Sequence, residues 1–206
     1  MIISWAIACC SCTEIQQVQT TSVTPQHTIS VAGDTVSKIG GNIDCIFQDR
    51  QGNYWFGSNG EGVYRYDGNT ITHITQQHGL CSDFVWNIQE DINGRLWFSS
   101  RDGFCSFEGS FFKDQTALIE NATYGKLAYT KGGLFFSHKN GICFYNGVSF
   151  MNFVIHPEFY QPAANNQDRP YAIYSTLVDQ HEKVWFGTQS QGVCLYDGES
   201  FSYLRC

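Results

Sequence analysis

Phe47-Gln48-Asp49-Arg50-Gln51-Gly52-Asn53-Tyr54-Trp55-Phe56-Gly57 is the stretch from which the fold can be read. Its first half is turn chemistry: an aspartate can cap a tight turn by accepting backbone N–H bonds, and Gly52 supplies the positive φ that lets the chain reverse. Its second half, Tyr54-Trp55-Phe56, is apolar at consecutive positions, so a strand there must be covered on both faces. The pattern returns as Asp91 to Gly94 before Leu96-Trp97-Phe98, and as Asp179 before Val184-Trp185-Phe186. In that last copy Glu182 stands where glycine is expected, so the turn must differ or carry strain. A worn copy keeps Gly132-Gly133-Leu134-Phe135-Phe136, and the equivalent aromatics Trp55, Trp97, Phe135 and Trp185 recur on average about every 43 residues.

Around each aromatic string lie further short runs of Val, Ile, Phe, Tyr and Trp, parted by Gly, Asp and Asn. Blade one, for example, adds Gly62-Val63-Tyr64-Arg65-Tyr66-Asp67-Gly68 and Thr70-Ile71-Thr72-His73-Ile74. Such runs read as strands joined by tight turns. Four runs make one blade, and a blade that must hide both faces can do so only by stacking on its neighbours. The expectation is an all-β fold, a β-propeller with about four recognisable four-stranded blades at 41–76, 83–115, 120–154 and 171–206 and an insertion at 155–170. A partial propeller and a small one closing with four blades both remain open.

Charged residues are 15% and aromatics 16% of the chain, with 20 Gly against 4 Pro, which suits a turn-rich folded β protein. The formal charge is −7 and the few Lys and Arg are scattered, so no basic row is available for phosphates and nucleic acid is not expected as a partner. No apolar run approaches the roughly 18 residues that a spanning helix needs, which leaves a lipid anchor as the expected membrane contact. Residues 1–12, ending Ala8-Cys9-Cys10-Ser11-Cys12, resemble the end of a bacterial lipoprotein signal. That resemblance implies lipidation at Cys9, with Cys12 as second choice, and export to the periplasm or outer surface. The Thr-, Ser- and Gln-rich residues 13–40 are expected as a tether with one strand around Thr28 to Val31.

The strings Phe47 to Gly57 and Gly62 to Gly68 resemble the two-component regulator propeller repeat. That family occurs in extracytoplasmic sensor regions of bacterial regulators and in stand-alone secreted or lipid-anchored proteins. The resemblance covers about Ile43 to Leu204. It implies a propeller with a sensing or binding role and hands over no catalytic residues.

Cys105, Cys143 and Cys194 fall at one repeat position and are too far apart, blade to blade, to bridge one another. They are expected as free, buried small hydrophobes. Cys45, Cys81 and Cys206 are left open for a bridge in an oxidising compartment. Asp49, Asp91 and Asp179 are expected as turn residues, and His73 and His78 as part of a solvated connection between copies one and two. Neither set has metal-ligand spacing, and no cofactor is expected. The long insertion before copy four offers Phe159, Tyr160, Asp168, Arg169 and Tyr171 as a candidate ligand face suited to a saccharide or peptide.

The leading function is therefore an extracytoplasmic module that binds a small molecule, saccharide or protein and does no chemistry of its own. Its rivals are a propeller enzyme of the streptogramin-lyase type, whose repeats look similar, and a purely structural surface module. A pocket gathering His and Glu would favour the enzyme, an aromatic uncharged groove the binder, and a channel plugged by side chains the scaffold.

Overall fold

The computed structural model describes residues 33–138, 141–155, 173–189 and 192–204. The expected signal segment with Cys9 and Cys12, the strand at Thr28 to Val31, Cys206 and the five insertion residues Phe159, Tyr160, Asp168, Arg169 and Tyr171 lie outside the described residues.

Blade one runs β2 (Ile43–Gln48), β3 (Tyr54–Ser58), β4 (Val63–Tyr66) and β5 (Ile71–Ile74), each antiparallel to the next. A further strand, β1 (Asp34–Val36), pairs with β5. The tether expected over 13–40 therefore ends inside a sheet, because Asp34-Thr35-Val36 can satisfy the free backbone edge of β5. Blade two is β6 (Val85–Glu90), β7 (Leu96–Ser100), β8 (Phe104–Phe107) and β9 (Phe112–Asp114). Blade four is β14 (Ile173–Val178), β15 (Val184–Thr188), β16 (Val193–Tyr196) and β17 (Phe201–Leu204).

Blade three departs from the expected order. It has β11 (Leu134–His138), β12 (Gly141–Tyr145) and β13 (Phe150–Phe153), but no strand precedes β11 in the sheet among the described residues. The chain ahead of it forms a short helix α1 (Thr116–Glu120) and then β10 (Thr123–Tyr124), which pairs parallel to β13 at the opposite edge. Residues 125–133, with Gly125, Gly132 and Gly133 and two lysines, carry no alternating run of strand formers.

The blades stack through three apolar interfaces. Trp55 packs on Phe98 and Phe107 of blade two with ring centroids at 5.6 Å in both cases. Trp97 meets Phe136, Tyr145 and Phe150 of blade three at 5.7, 5.0 and 5.4 Å. Phe135 meets Phe186 of blade four at 5.5 Å. Aromatic pairs at these separations add to simple area burial, and each ring fills the space between sheets that one blade alone would leave wet. The first strands of blades one and two, β2 and β6, approach each other, so the first strand is the inner one where these blades converge.

Each indole is held by the turn before it. Asp49 Oδ2 accepts the Trp55 Nε1–H at 2.8 Å, Asp91 Oδ2 that of Trp97 at 3.1 Å, and Asp179 Oδ2 that of Trp185 at 2.9 Å. The other oxygen of each carboxylate takes two turn amides: those of Gln51 and Asn53, Asn93 and Arg95, and His181 and Lys183. One side chain thus shapes the turn and satisfies the polar atom of a ring that is otherwise core. Asp91 and Trp97 are each 1% exposed, so Asp91→Ala strands the indole N–H without water. A loss of about 3 kcal/mol in urea unfolding is expected, and a loss below about 1 kcal/mol would show the indole bond to be dispensable.

In blade four Glu182 takes the place of the turn glycine and adopts φ 61°, matching Gly52 at 88° and Gly94 at 81°. The turn is unchanged and the residue carries the strain. Glu182→Gly should raise stability by about 1 kcal/mol, measured by the same unfolding.

Candidate functional site

Where the other blades have a first strand, the described residues of blade three leave a cavity of about 280 Å³. One wall comes from blade two, with Trp86 and Asn87 on β6 and Ser99 on β7; the floor is Phe135 and Ser137 on β11; the other wall is Ile173 to Thr176 on β14. The lining holds aromatic rings, hydroxyls and an amide, with no carboxylate, amine, guanidinium, imidazole or thiol among the described residues. Trp86 and Tyr174 are 47% and 74% exposed, large rings left partly wet at the mouth of a recess. Across the gap, Gln89 Nε2 donates to the Phe135 carbonyl at 2.9 Å, and the Ile173 N–H donates to Ser137 Oγ at 3.3 Å. This is the aromatic, uncharged groove. No motif signals it, because it lies at an edge where the described residues supply no strand.

A second recess lies beside blade one, bordered by Thr35 to Lys38, Gly40, Glu61, Tyr64 and His73. Tyr64 Oη donates to Glu61 at 2.7 Å, and its ring stacks on His73 with centroids at 4.4 Å. His73 is therefore a residue of β5 packed on an aromatic ring and not part of a solvated loop. Its Nε2 contacts the main-chain oxygen of Glu61 rather than the carboxylate. His78 does lie in the connection, in a 3₁₀ turn (Gln76–His78) where its Nδ1 accepts the Thr75 N–H at 3.1 Å. Burial, and then the bond to and charge of Glu61, push the Tyr64 phenol up to about 12, so it serves as a donor and not as a base. Among the described residues no three His, Cys, Asp or Glu side chains gather as a metal site, and no helix is long and apolar enough to cross a membrane.

Of the three equivalent cysteines, Cys143 and Cys194 are free and buried, as expected. Cys105 is not free: it forms a disulfide with Cys81, Cα to Cα 5.9 Å. Cys105, Cys143 and Cys194 form no bridge with one another, but Cys81 reaches Cys105 from the connection between blades one and two. Cys45 is free. Asp49, Asp91 and Asp179 are turn residues, and they also hold the indoles, a role signalled by the six-residue spacing from each aspartate to its tryptophan.

Four blades stacked through aromatic strands, with the inner strand preceding the aromatic strand in three of them, define a β-propeller repeat protein. Residues 37–60 and 79–102 match the family model of the two-component regulator propeller. No curated protein matches the chain. The fold is similar to the extracellular domain of a hybrid two-component system from B. thetaiotaomicron, with 17% identity, TM-score 0.58, and coverage of 82% of this chain and 22% of that one. It is similar also to that of a one-component system from the same organism, with 19% identity, TM-score 0.53, and coverage of 83% and 23%. Catalytically inactive virginiamycin B lyase from Staphylococcus aureus, solved with quinupristin, matches with 13% identity, TM-score 0.55, and coverage of 83% and 58%. The chain thus spans less than a quarter of the two extracellular domains and just over half of the lyase. At these identities the likeness shows the fold.

Burial raises the Cys45 thiol to about 11 and those of Cys143 and Cys194 to about 12. Because these folded values lie above the ordinary thiol value near 9, the stability they carry is complete below that pH and is lost as pH rises toward 12. Alkylation of the native protein at pH 8, mapped by mass spectrometry, should leave Cys143 and Cys194 unlabelled, with Cys81 and Cys105 labelled only after reduction. Labelling of Cys105 without reductant would contradict the disulfide.

Proposed function

We propose that the chain is an extracytoplasmic recognition module that takes an uncharged ligand into the cavity among blades two, three and four and performs no chemistry on it. The observation that carries this reading is the cavity wall itself: two partly exposed aromatic rings and a set of neutral hydrogen-bonding groups, with no acid and base matched to one another among the described residues. Rings supply apolar contact at low entropic cost, and Asn87, Ser99, Ser137, Ser175 and Thr176 supply orientation. A sensory role is supported by the likeness to the extracellular domains of a two-component and a one-component system. Export is supported by the Cys81–Cys105 disulfide, which persists in an oxidising compartment. Attachment to a membrane by lipid at Cys9, or at Cys12, fits the same location. Phe159, Tyr160, Asp168, Arg169 and Tyr171 belong to a segment whose covalent end is Ile173 in the cavity wall, and they remain candidates for added contacts.

The test is a binding screen on the full chain with neutral oligosaccharides and uncharged peptides, followed by the ligand's mass after incubation. A ligand recovered unchanged, whose affinity falls at least tenfold in Trp86→Ala, is the expected result. A ligand chemically altered by the protein, or one indifferent to Trp86→Ala, would overturn the reading.

A further inference from the structure

Resting on that cavity as the binding site, the geometry points to the class of ligand: we propose that it receives an extended peptide, which adds to the free edge of β11 as the inner strand that blade three does not supply. In the other three blades an inner strand of six residues lies along the same edge: β2 on β3, β6 on β7 and β14 on β15. The corresponding edge of β11 has no strand among the described residues, and the cavity occupies that place, between β6 and β14.

The backbone of β11 is already turned toward the gap. The Phe135 carbonyl accepts from Gln89 of β6, which fixes the side to which that residue's main chain points. In an antiparallel sheet the N–H and C=O of one residue point to the same side and alternate along the strand, so Phe135 and Ser137 face the gap while Leu134 and Phe136 face β12. A row of main-chain donors and acceptors at strand spacing, in a recess with apolar walls, is matched by another extended backbone. A sugar offers hydroxyls without that repeat. The walls carry no counter-charge, so side chains entering with the peptide must be uncharged or pay for desolvation.

The β14 strand shows what the repeat accepts at this position. Its segment Ala172-Ile173-Tyr174-Ser175-Thr176-Leu177-Val178 is uncharged and rich in strand formers, and a synthetic peptide of that sequence, acetylated and amidated, is the probe. Binding to the full chain is followed by fluorescence anisotropy of a labelled copy and by amide hydrogen exchange. The peptide is expected to slow exchange at Phe135 and Ser137 at least tenfold and to leave Leu134 and Phe136 unchanged. Of two further peptides, N-methylated on odd or on even residues, one should bind at least tenfold more weakly and the other near normally, because only one row of amides meets β11. Equal binding of both methylated peptides, or no peptide binding, overturns the proposal. So does slow exchange at Phe135 and Ser137 in the free protein, which would show the edge filled by the chain itself. If an oligosaccharide binds in a Trp86-dependent way while the peptide does not, the cavity stands as the ligand site and strand addition falls.

Discussion

The bond from a turn carboxylate to the indole of the following strand is the constraint on which the rest of the molecule depends. A tryptophan is large enough to span the space between two sheets, but its N–H is a polar atom that the interior of an interface cannot leave unpaired. Asp49 and Asp91 solve this locally, since the residue that meets the indole is the one whose second oxygen holds the turn together. Turn geometry and interface packing are thereby coupled: neither the aspartate nor the tryptophan can change without disturbing both. At Asp179 the indole bond, ahead of the turn amides, holds the carboxyl below the usual carboxylate range.

Blade three shows the effect of giving that pair up. Phe135 stands at the tryptophan position and has no N–H to satisfy; six residues earlier, where the aspartate would be, Tyr129 lies nearly parallel to it at 6.0 Å and 11°. A polar bond has been exchanged for a stacked pair, and the interface to blade four still closes. Released from supplying a carboxylate-led turn at the end of an inner strand, the chain ahead of β11 runs elsewhere, through α1 and β10 to the outer edge. The cavity is the consequence. The cavity therefore lies where the repeat is most irregular, because in the three regular blades an inner strand fills the space beside the aromatic strand.

How much of this could be seen in the residues divides along the same line. Three copies were legible because their turn chemistry and aromatic strings are local, each confined to a short run of sequence. The strand beside β5 was missed because Asp34-Thr35-Val36 is too short to signal itself and is fixed only by the edge it covers. The Cys81–Cys105 bridge joins a connection to a strand across 24 residues, a proximity that no spacing rule contains. His73 reads as part of a polar stretch, yet the register of β5 against β4 places it beside Tyr64. The cavity was hidden for a deeper reason: a repeat pattern predicts what each copy has, and the cavity lies where one copy has no inner strand among the described residues.

Directional stacking also fixes the character of the two ends. Within the chain each aromatic-strand face, bearing Trp55, Trp97 or Phe135, packs on the opposite face of the next blade, bearing Phe98, Phe136 or Phe186. Blade four presents the first kind of face, with Trp185 only half-buried and Leu177 63% exposed; blade one presents the second, with Ile46 68% exposed beside Phe56. Their counterparts inside the stack, Trp55 and Trp97 for Trp185 and Ile88 for Ile46, are buried. The rule that closes three junctions thus makes the first and last described faces of the stack unlike each other, so the polarity of the stack comes directly from which side of the sheet carries the indole.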